Sequence, residues 1–419
     1  MTATRKLRIA LLAHEFLINI GANDFLKNLI RGLSDNPETE LVFLCPRSNE
    51  RLEASVSVDV KARLARLPYL KRLARMGARA VAPMTDLLMK SQPAEFDFYA
   101  EASPQPMEFV VCETHAEALQ KLRVDLKIDV FMPSIHILPK SLPYVTYWPD
   151  AQPKHFPEFF DDESQRIRDE RILGLLASTK PMIINSRAAK LDIQKFYGAV
   201  PDQIFELPFA PIIEFEKLIP RPELTLKYEQ TRPFFIVCNQ FWVHKSIETV
   251  IEAAKIAKER GVTADFIFTG KMQEPRRPGY IDNLKRLVTE LGVEDNVRML
   301  GYIPKDDQIE LMKAAIAVIQ PTLFEGGPGG GSIYDAFCLG KRSLVSDIPV
   351  NRELPAERGQ VRYFKARDPI SLADGVVDVL NSPYEPPTIE QLYQQSKSAR
   401  TRLSVRLYEA VDDALRRGT

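Results

Sequence analysis

Two blocks of alternating strand-like and helix-like segments constrain the fold of this 419-residue chain more than any other feature. In the first block, an apolar run at residues 7–13 precedes an amphipathic segment at 25–33 and a second apolar run at 40–45. Short continuous apolar runs are typical of parallel strands buried on both faces, and their alternation with helices favours an α/β fold. This block also contains predicted strands at 128–132, 144–147 and 182–185, and a charged helix at 163–176.

The alternation restarts after a proline-rich stretch with prolines at positions 208, 211, 220, 222 and 233, which is typical of a linker. We therefore predict two doubly wound Rossmann-like domains that face each other across a cleft. Ligands of such sheets bind beyond the carboxyl ends of the strands, so facing domains can hold a donor and an acceptor. The predicted units are domains at 1–210 and 233–400, a linker at 211–232 and, at 401–419, a helix that returns to the first domain. In the second domain we predict strands at 234–238, 265–269, 297–300, 315–319 and 343–346, and helices at 247–259, 280–291, 308–313 and 332–339.

Composition excludes several other classes of protein. Lys and Arg together number 56, as do Asp and Glu, so a cationic nucleic-acid binder is not expected. We find no signal-peptide pattern at the N-terminus and no apolar run near the roughly 18–20 residues that span a bilayer. The four cysteines, at 45, 112, 238 and 338, are far apart, which predicts buried thiols in a reducing compartment. These features predict a cytoplasmic protein.

The segment at 321–335 carries the strongest chemical signal. Five of the six residues from Gly326 to Gly331 are glycine, and a helix is predicted immediately afterwards, with Ser332 as its cap. Backbone N–H groups at such a helix start form an anion site, and Glu325 comes from the carboxyl end of the preceding strand. The segment is neither a Walker A loop nor a GxGxxG motif. The alternative is a flexible loop before an ordinary helix, with Asp335 completing an S-x-x-D capping box.

These residues resemble a known family. The run from Glu325 to Ser332, an acid in the next helix, and the segment at 339–353 look like glycosyltransferase family 4, with weaker likeness at 148–160 and around Gly21. That family comprises retaining, nucleotide-sugar-dependent enzymes of GT-B fold, among them bacterial mannosyltransferases of polysaccharide and lipopolysaccharide assembly. The resemblance implies a hexose donor, with GDP-mannose as the best single choice, and a saccharide or lipid-linked acceptor.

The resemblance also implies roles for individual residues on the donor side. Glu325 corresponds to the first acid of the family's paired-glutamate motif and would contact the transferred sugar. Asp335 would take the place of the second acid near the ribose, although it follows Glu325 by a longer interval than the family uses. Lys245 would hold the diphosphate, whereas Gln240 stands where the family has arginine. The remaining donor-side positions are Gly21, Gly270, Tyr302, Ile303, Gly327, Gly329, Gly330, Gly331 and Ser332.

Four first-domain residues are candidates for the acceptor side of the cleft. Asp150 resembles the family's acid there and would be catalytic together with Glu325 and Lys245. Lys154 and His155 lie close by in the sequence, and His136 follows an apolar run. A structural role is the commoner alternative for Asp150, Lys154 and His155, and His136 is equally compatible with a hydrogen-bonded histidine in the core.

The family's retaining reaction needs no side-chain nucleophile, in agreement with the lack of a Ser-His-Asp or Cys-His signature. We also see no DxD motif in a loop, so no metal or other cofactor is expected. Two alternatives stay open: a nucleotide-sugar 2-epimerase and a degenerate sugar-nucleotide-binding partner of another transferase. A Rossmann dehydrogenase is disfavoured because the first strand is not followed by GxGxxG.

The segment at 61–81 contains seven basic residues, no acid, and leucine or methionine at every third position from 64 to 76. A basic amphipathic segment can dock on the anionic inner face of the cytoplasmic membrane. A solvated helix face explains the pattern equally well, and Pro68 interrupts it.

Overall fold

A computed structural model of the chain describes residues 5–13, 16, 20–46, 99–198, 202–355 and 359–418. It confirms the α/β architecture: two parallel sheets, each covered by helices, form two domains. The first sheet has the strand order β3-β2-β1-β4-β5-β6-β7. Its strands are β1 (Leu7–Leu12), β2 (Thr39–Pro46), β3 (Glu108–Cys112), β4 (Val130–Ser134), β5 (Tyr144–Tyr147), β6 (Met182–Ile184) and β7 (Ile204–Glu206).

The helices of the first domain follow the strands in the order expected of parallel crossovers. They are α1 (Ile20–Leu33), α2 (Ala116–Asp125), α3 (Gln152–His155), α4 (Asp162–Ala177) and α5 (Arg187–Tyr197). Asp161 caps α4 by accepting a hydrogen bond from the Ser164 N–H at 2.6 Å. The linker contains a short helix, α6 (Phe215–Leu218), and a 3₁₀ turn at Pro222–Tyr228.

The second sheet has the order β10-β9-β8-β11-β12-β13. Its strands are β8 (Phe234–Cys238), β9 (Asp265–Thr269), β10 (Val297–Gly301), β11 (Ala317–Gln320), β12 (Ser343–Ser346) and β13 (Val361–Phe364). Its helices are α7 (Ile247–Glu259), α8 (Tyr280–Glu290), α9 (Lys305–Ala314), α10 (Gly330–Cys338) and α11 (Pro369–Asn381). In both sheets the chain reverses its winding direction beside the first strand, at β1/β4 and at β8/β11. Such a switch point opens a crevice at the carboxyl ends of the strands.

The last helix, α12 (Ile389–Arg417), joins the two domains. Its first turn carries a capping box between Thr388 and Gln391, and Leu392 packs into the core of the second domain. Further along, Leu403 and Leu407 pack into the first-domain core against α1. The helix therefore begins at 389 on one domain and ends on the other.

Most predicted elements match the structure to within a few residues, and the differences have local causes. The helix expected from 332 begins at Gly330, and the strand expected at 315–319 lies at 317–320. The elements that were not predicted are β3, β7, β13, α2, α3, α5, α6 and α11. β3, β7 and β13 lie at sheet edges, where the strands are partly exposed and their apolar runs are short or interrupted.

Candidate functional site

A cavity of about 830 Å³ lies between the two domains, beyond the carboxyl ends of both sheets. Nine of the predicted site residues line it: Gln240, Lys245, Gly270, Tyr302, Ile303, Glu325, Gly331, Ser332 and Asp335. All nine belong to the second domain. The opposite wall comes from the first domain and includes Asn23, Asp24, Tyr99, Trp148, Arg168 and Arg171.

Glu325 and Lys245 form an ion pair in this cavity. The Lys245 Nζ donates a hydrogen bond to Glu325 Oε1, and the Gln320 amide donates to the same oxygen at 3.2 Å. Only 11% of the Lys245 side chain and 12% of the Glu325 side chain are exposed. Lys245 ends a short 3₁₀ turn after β8, and Glu325 follows β11, so adjacent strands of the sheet bring the two side chains together.

The glycine-rich loop leads directly into α10 beside this ion pair. Gly329 and Gly330 both have positive φ, at 69° and 61°. A Cβ on Gly330 would lie 2.9 Å from the Glu325 carboxylate. Gly330 is therefore required by its backbone conformation and by the carboxylate packed against it. The amides at the start of α10 consequently lie next to Glu325.

The predicted cap of this helix is wrong. Gly329, not Ser332, is the N-cap residue, so Ser332 lies inside the first turn and forms no capping box with Asp335. The two glycines with positive φ turn the chain earlier than a serine cap would. Ser332 is 6% exposed, and within the described part of the chain its Oγ has no hydrogen-bond partner.

Asp335 forms an ion pair with Lys305 at the far end of the cavity, at 2.5 Å. Burial lowers the pKa of Lys305, but the Asp335 carboxylate and, more weakly, Asp24 of the first domain outweigh it and raise that pKa. Lys305 is thus held as a cation. It also lines the cavity, although sequence reasoning missed it. Its position shortly after the Gly301–Ile303 turn was the available signal.

The floor of the cavity is formed by turns that follow β8, β9 and β10. At Gly270, where φ is 133°, a Cβ would lie 1.9 Å from the Asn239 carbonyl oxygen. Gly270 therefore allows two loop backbones to touch. Gln240 and Tyr302 line the cavity as predicted positions, and 66% of Tyr302 is exposed.

His244 precedes Lys245 and is 4% exposed. Burial, assisted by the nearby Lys245 and Arg276 cations, lowers its pKa from 6.5 to about 2. The imidazole is therefore neutral near pH 7 and adds no charge to the cavity.

The four acceptor-side candidates are not part of the cavity surface. Lys154 pairs with Asp169 at 2.6 Å, and His155 Nε2 lies 2.7 Å from Asp192 Oδ2. The Asp150 carboxylate accepts a hydrogen bond from the Gln152 N–H at 2.9 Å. His136 is half-buried after β4. None of the four is among the residues that line the cavity.

His155 and Asp150 instead lie where the two domains meet. The His155 ring packs on Phe324 of the second domain, with ring centroids 5.2 Å apart. A Cβ on Gly326 would lie 2.7 Å from the Pro149 carbonyl oxygen and 3.3 Å from Asp150 Cβ. The glycine-rich loop is thus in direct contact with the first domain.

Two sets of hydrogen bonds strengthen this contact. Ser186 Oγ donates to the Gly326 carbonyl at 2.8 Å. The carboxylate of Glu353, in the second domain, accepts from the N–H groups of Arg187 and Ala188 at 3.0 and 2.7 Å. It therefore sits at the N-terminus of α5, where the helix dipole favours a negative charge.

Some predicted positions are not described or do not reach the cavity. The side chains around Gly21 and the whole segment 61–81 lie outside the described residues. Gly327, Gly329 and Gly330 form the loop behind Gly331 and are not cavity-lining. Sequence reasoning missed the first-domain wall, because Arg168 and Arg171 occur in a helix of alternating charges that looks like an ordinary solvated face.

Over the described ranges, no group of three or more His, Cys, Asp or Glu side chains is arranged to hold a metal ion. Within the same ranges, no helix is long and apolar enough to cross a membrane.

Comparison with known proteins agrees with this geometry. Residues 225–401, which span most of the second domain, match the family model of glycosyl transferases group 1. By sequence alone, no curated protein matches significantly.

Solved GT-B structures resemble the whole chain. Sucrose-phosphate synthase from Thermosynechococcus elongatus superposes with a TM-score of 0.59 at 12% identity, over 98% of this chain and 97% of its own. Anabaena HepE in complex with UDP and glucose superposes with a TM-score of 0.59 at 13% identity, over 97% of this chain and 99% of its own. A glycosyltransferase from Rickettsia africae superposes with a TM-score of 0.56 at 11% identity, over 99% of this chain and 97% of its own. These likenesses establish the two-domain GT-B fold.

Proposed function

We propose that this chain, an enzyme with a group 1 glycosyl transferase domain on a GT-B fold, is a retaining hexosyltransferase that uses a nucleotide sugar. The observation that carries the proposal is the Lys245–Glu325 pair at the start of α10, inside the cavity between the domains. It puts a cation, a carboxylate and free helix-start amides within one small volume.

These groups suit the departure of a nucleoside diphosphate. As the bond between the sugar C1 and the phosphate oxygen breaks, negative charge grows on the diphosphate. The Lys245 ammonium and the amides of Gly331 and Ser332 can stabilise that charge. The unpartnered Ser332 hydroxyl is a further donor in the same place. The acceptor hydroxyl forms the new bond to C1, and its proton passes to the departing phosphate oxygen.

Glu325 accepts hydrogen bonds and is held at the helix start, which suits contact with hydroxyl groups of the transferred sugar. Asp335 pairs with Lys305 and suits the ribose hydroxyls at the other end of the donor, while burial raises the pKa of its carboxyl. Among the described residues we find no nucleophile–base pair of the Ser-His or Cys-His kind at the cavity, in keeping with a reaction that needs none. We propose that the reaction requires no metal ion.

For the donor we propose GDP-mannose, with a UDP-hexose as the second candidate. The first choice comes from the resemblance of the loop region to mannosyltransferases. The second is supported by the structures of Anabaena HepE in complex with UDP and glucose and with UDP-glucose. The acceptor we propose is a saccharide or lipid-linked saccharide of bacterial polysaccharide or lipopolysaccharide assembly, met at the cytoplasmic face of the membrane.

The test is thermal stabilisation and donor hydrolysis with GDP-, UDP-, ADP- and dTDP-sugars, comparing the natural chain with Glu325→Ala. We expect one nucleotide class to raise the melting temperature and slow hydrolysis to be lost in the variant. Failure of every nucleotide to stabilise the protein would overturn the donor site.

The same experiment separates the alternatives. A degenerate partner protein would bind a nucleotide sugar and neither hydrolyse nor transfer it, even with lipid-linked acceptors present. A 2-epimerase would change the configuration at the sugar C2, which nuclear magnetic resonance of the recovered sugar detects. The proline-linked GT-B architecture is shared by all three, so the products decide between them.

A further inference from the structure

We propose that Arg168 and Trp148, on the first-domain wall of the cavity, bind an anionic group of the acceptor, a phosphate or a carboxylate close to the accepting hydroxyl. This inference rests on the proposed function and extends it to the chemical class of the acceptor.

Arg168 belongs to α4 and lines the cavity. Its guanidinium lies 5.7 Å from the ring centroids of both Trp148 and Phe160. Cation–π contacts of this kind favour this position of the guanidinium and leave its N–H groups available for hydrogen bonding. About a third of the side chain, 34%, is exposed.

The hydrogen-bonding capacity of Arg168 is largely unused. Over the described residues it makes one hydrogen bond, from Nη2 to Asp150 Oδ1, at the long distance of 3.5 Å, and its buried Nε has no partner. Arg352 shows what a completed pair looks like in this protein: its Nε and Nη2 bind the two oxygens of Asp347 at 2.6 and 2.5 Å. Arginine binds carboxylates and phosphates best through two parallel hydrogen bonds. Arg168 therefore has donor groups available for a further acceptor.

Trp148 provides a second, independent observation. It is 4% exposed, lines the same wall, and its indole N–H has no partner among the described residues. Indole and guanidinium groups only donate hydrogen bonds. A buried donor without a partner destabilises the protein, so two adjacent ones call for a ligand rich in acceptor oxygens. An anion meets that requirement better than a neutral hydroxyl, which must also donate.

The position favours the acceptor over the donor. The donor's diphosphate is already provided for by Lys245 and the start of α10, both in the second domain. Arg168 belongs to the first domain, and its partner Asp150 touches the loop at Gly326, next to Glu325. The acid on the first-domain wall, Asp24, interacts with Lys305 and Asp335 instead. An anion at Arg168 would therefore lie on the first-domain wall beside the reacting centre, where the lining carboxylate Glu325 is already paired with Lys245.

The experiment uses the full chain with its donor site filled by saturating GDP or UDP, whichever stabilises it. Calorimetry then compares glucose 6-phosphate and glucuronate with uncharged glucose, for the natural chain, Arg168→Gln, Arg168→Lys and Arg166→Gln. Arg166 is the matched control: it lies on the same helix, 55% exposed, and pairs with Glu163 and Glu170.

We expect the charged sugars to bind the natural chain and Arg166→Gln at least about tenfold more tightly than glucose. Arg168→Gln should lose that preference, and Arg168→Lys should retain part of it, with nucleotide affinity unchanged in all variants. Equal binding of charged and neutral sugars by the natural chain would overturn the proposal. So would a loss of nucleotide affinity in Arg168→Gln with the charge preference intact, which would assign Arg168 to the donor. Failure of all nucleotides to bind would instead count against the proposed function.

Discussion

The Lys245 ammonium donates a hydrogen bond to the Glu325 carboxylate across 80 residues of sequence, and both side chains lie almost entirely out of solvent. A buried ion pair is rarely worth its desolvation cost as a stabilising element alone. Its location in the cavity, between the helix start and the first-domain wall, is better explained by chemistry on a charged ligand.

Replacing Glu325 with Gln should lower sugar transfer or donor hydrolysis by roughly a hundredfold while leaving nucleotide binding within a few-fold of the natural chain. The amide is nearly isosteric, so the fold should persist, but it removes the negative charge that Lys245 faces. Steady-state kinetics and nucleotide titration measure the two effects. Glu385→Gln, an exposed change of the same kind, serves as control. Unchanged turnover in Glu325→Gln would contradict the catalytic assignment.

Two neighbouring glycines give a matched test of the loop. Gly330→Ala should destabilise the protein by at least about 1–2 kcal/mol, because its φ of 61° is unfavourable for alanine and its Cβ would contact the Glu325 carboxylate. Gly331→Ala should be neutral or stabilising by up to about 1 kcal/mol, because a Cβ there meets no atom within 4 Å. Denaturant unfolding of both variants decides the point; equal stability of the two would show that the loop adopts another conformation.

The Glu353 contact with α5 should favour the closed arrangement of the domains. Glu353→Gln weakens a carboxylate–helix interaction worth about 0.3–1 kcal/mol across the domain boundary, so the population of more open molecules should rise. Small-angle X-ray scattering should record a larger radius of gyration. Asp161→Asn removes a similar carboxylate from α4 within one domain and should leave that radius unchanged. A matching increase in both variants would argue against the interdomain role.

His244 should make the protein acid-sensitive. Its folded-state pKa of about 2 lies below the unfolded value of 6.5, so below pH 6.5 the unfolded chain binds a proton that the folded chain does not. Stability from this residue is therefore intact above pH 6.5 and falls as the pH decreases, by about 2 kcal/mol between pH 8 and pH 5. Urea unfolding across that range should show a shallower loss for His244→Gln than for the natural chain. The control variant His115→Gln, at an exposed first-domain histidine, should lose unfolding free energy with decreasing pH as steeply as the natural chain does.

Donor hydrolysis should be insensitive to chelation. Lys245 and the α10 amides provide positive charge for the diphosphate. We therefore expect EDTA to change the hydrolysis rate by less than twofold and added Mg²⁺ or Mn²⁺ to leave that rate unchanged. A rate that collapses with EDTA and recovers with a divalent cation would contradict metal independence.

Local patterns along the chain were sufficient for the elements and for much of the donor side. The runs at 234–238, 247–259 and 265–269 coincide with β8, α7 and β9. A buried strand has a continuous apolar run and an amphipathic helix has apolar residues at helical spacing, so both can be recognised from the sequence. The glycine-rich loop was visible for a similar reason, since glycines in series mark backbone that must turn or approach something closely. The serine cap failed because two positive-φ glycines ended the loop before Ser332 could do so.

What the sequence by itself determined, then, was the α/β class, the two-domain division and the segments after β8 and β11 that carry Lys245 and Glu325, with Asp335 in the helix that follows. Tertiary structure alone decided which side chains share the cavity. In the folded chain Lys154 pairs with Asp169, and His155 lies beside Asp192. Lys305 pairs with Asp335, and Arg168 lies on the opposite wall of the cavity. The physical reason is that such contacts join elements far apart in the sequence, and the two walls of the cavity belong to different domains. Their partners depend on how the sheets and α12 pack, which periodicity within one segment does not encode.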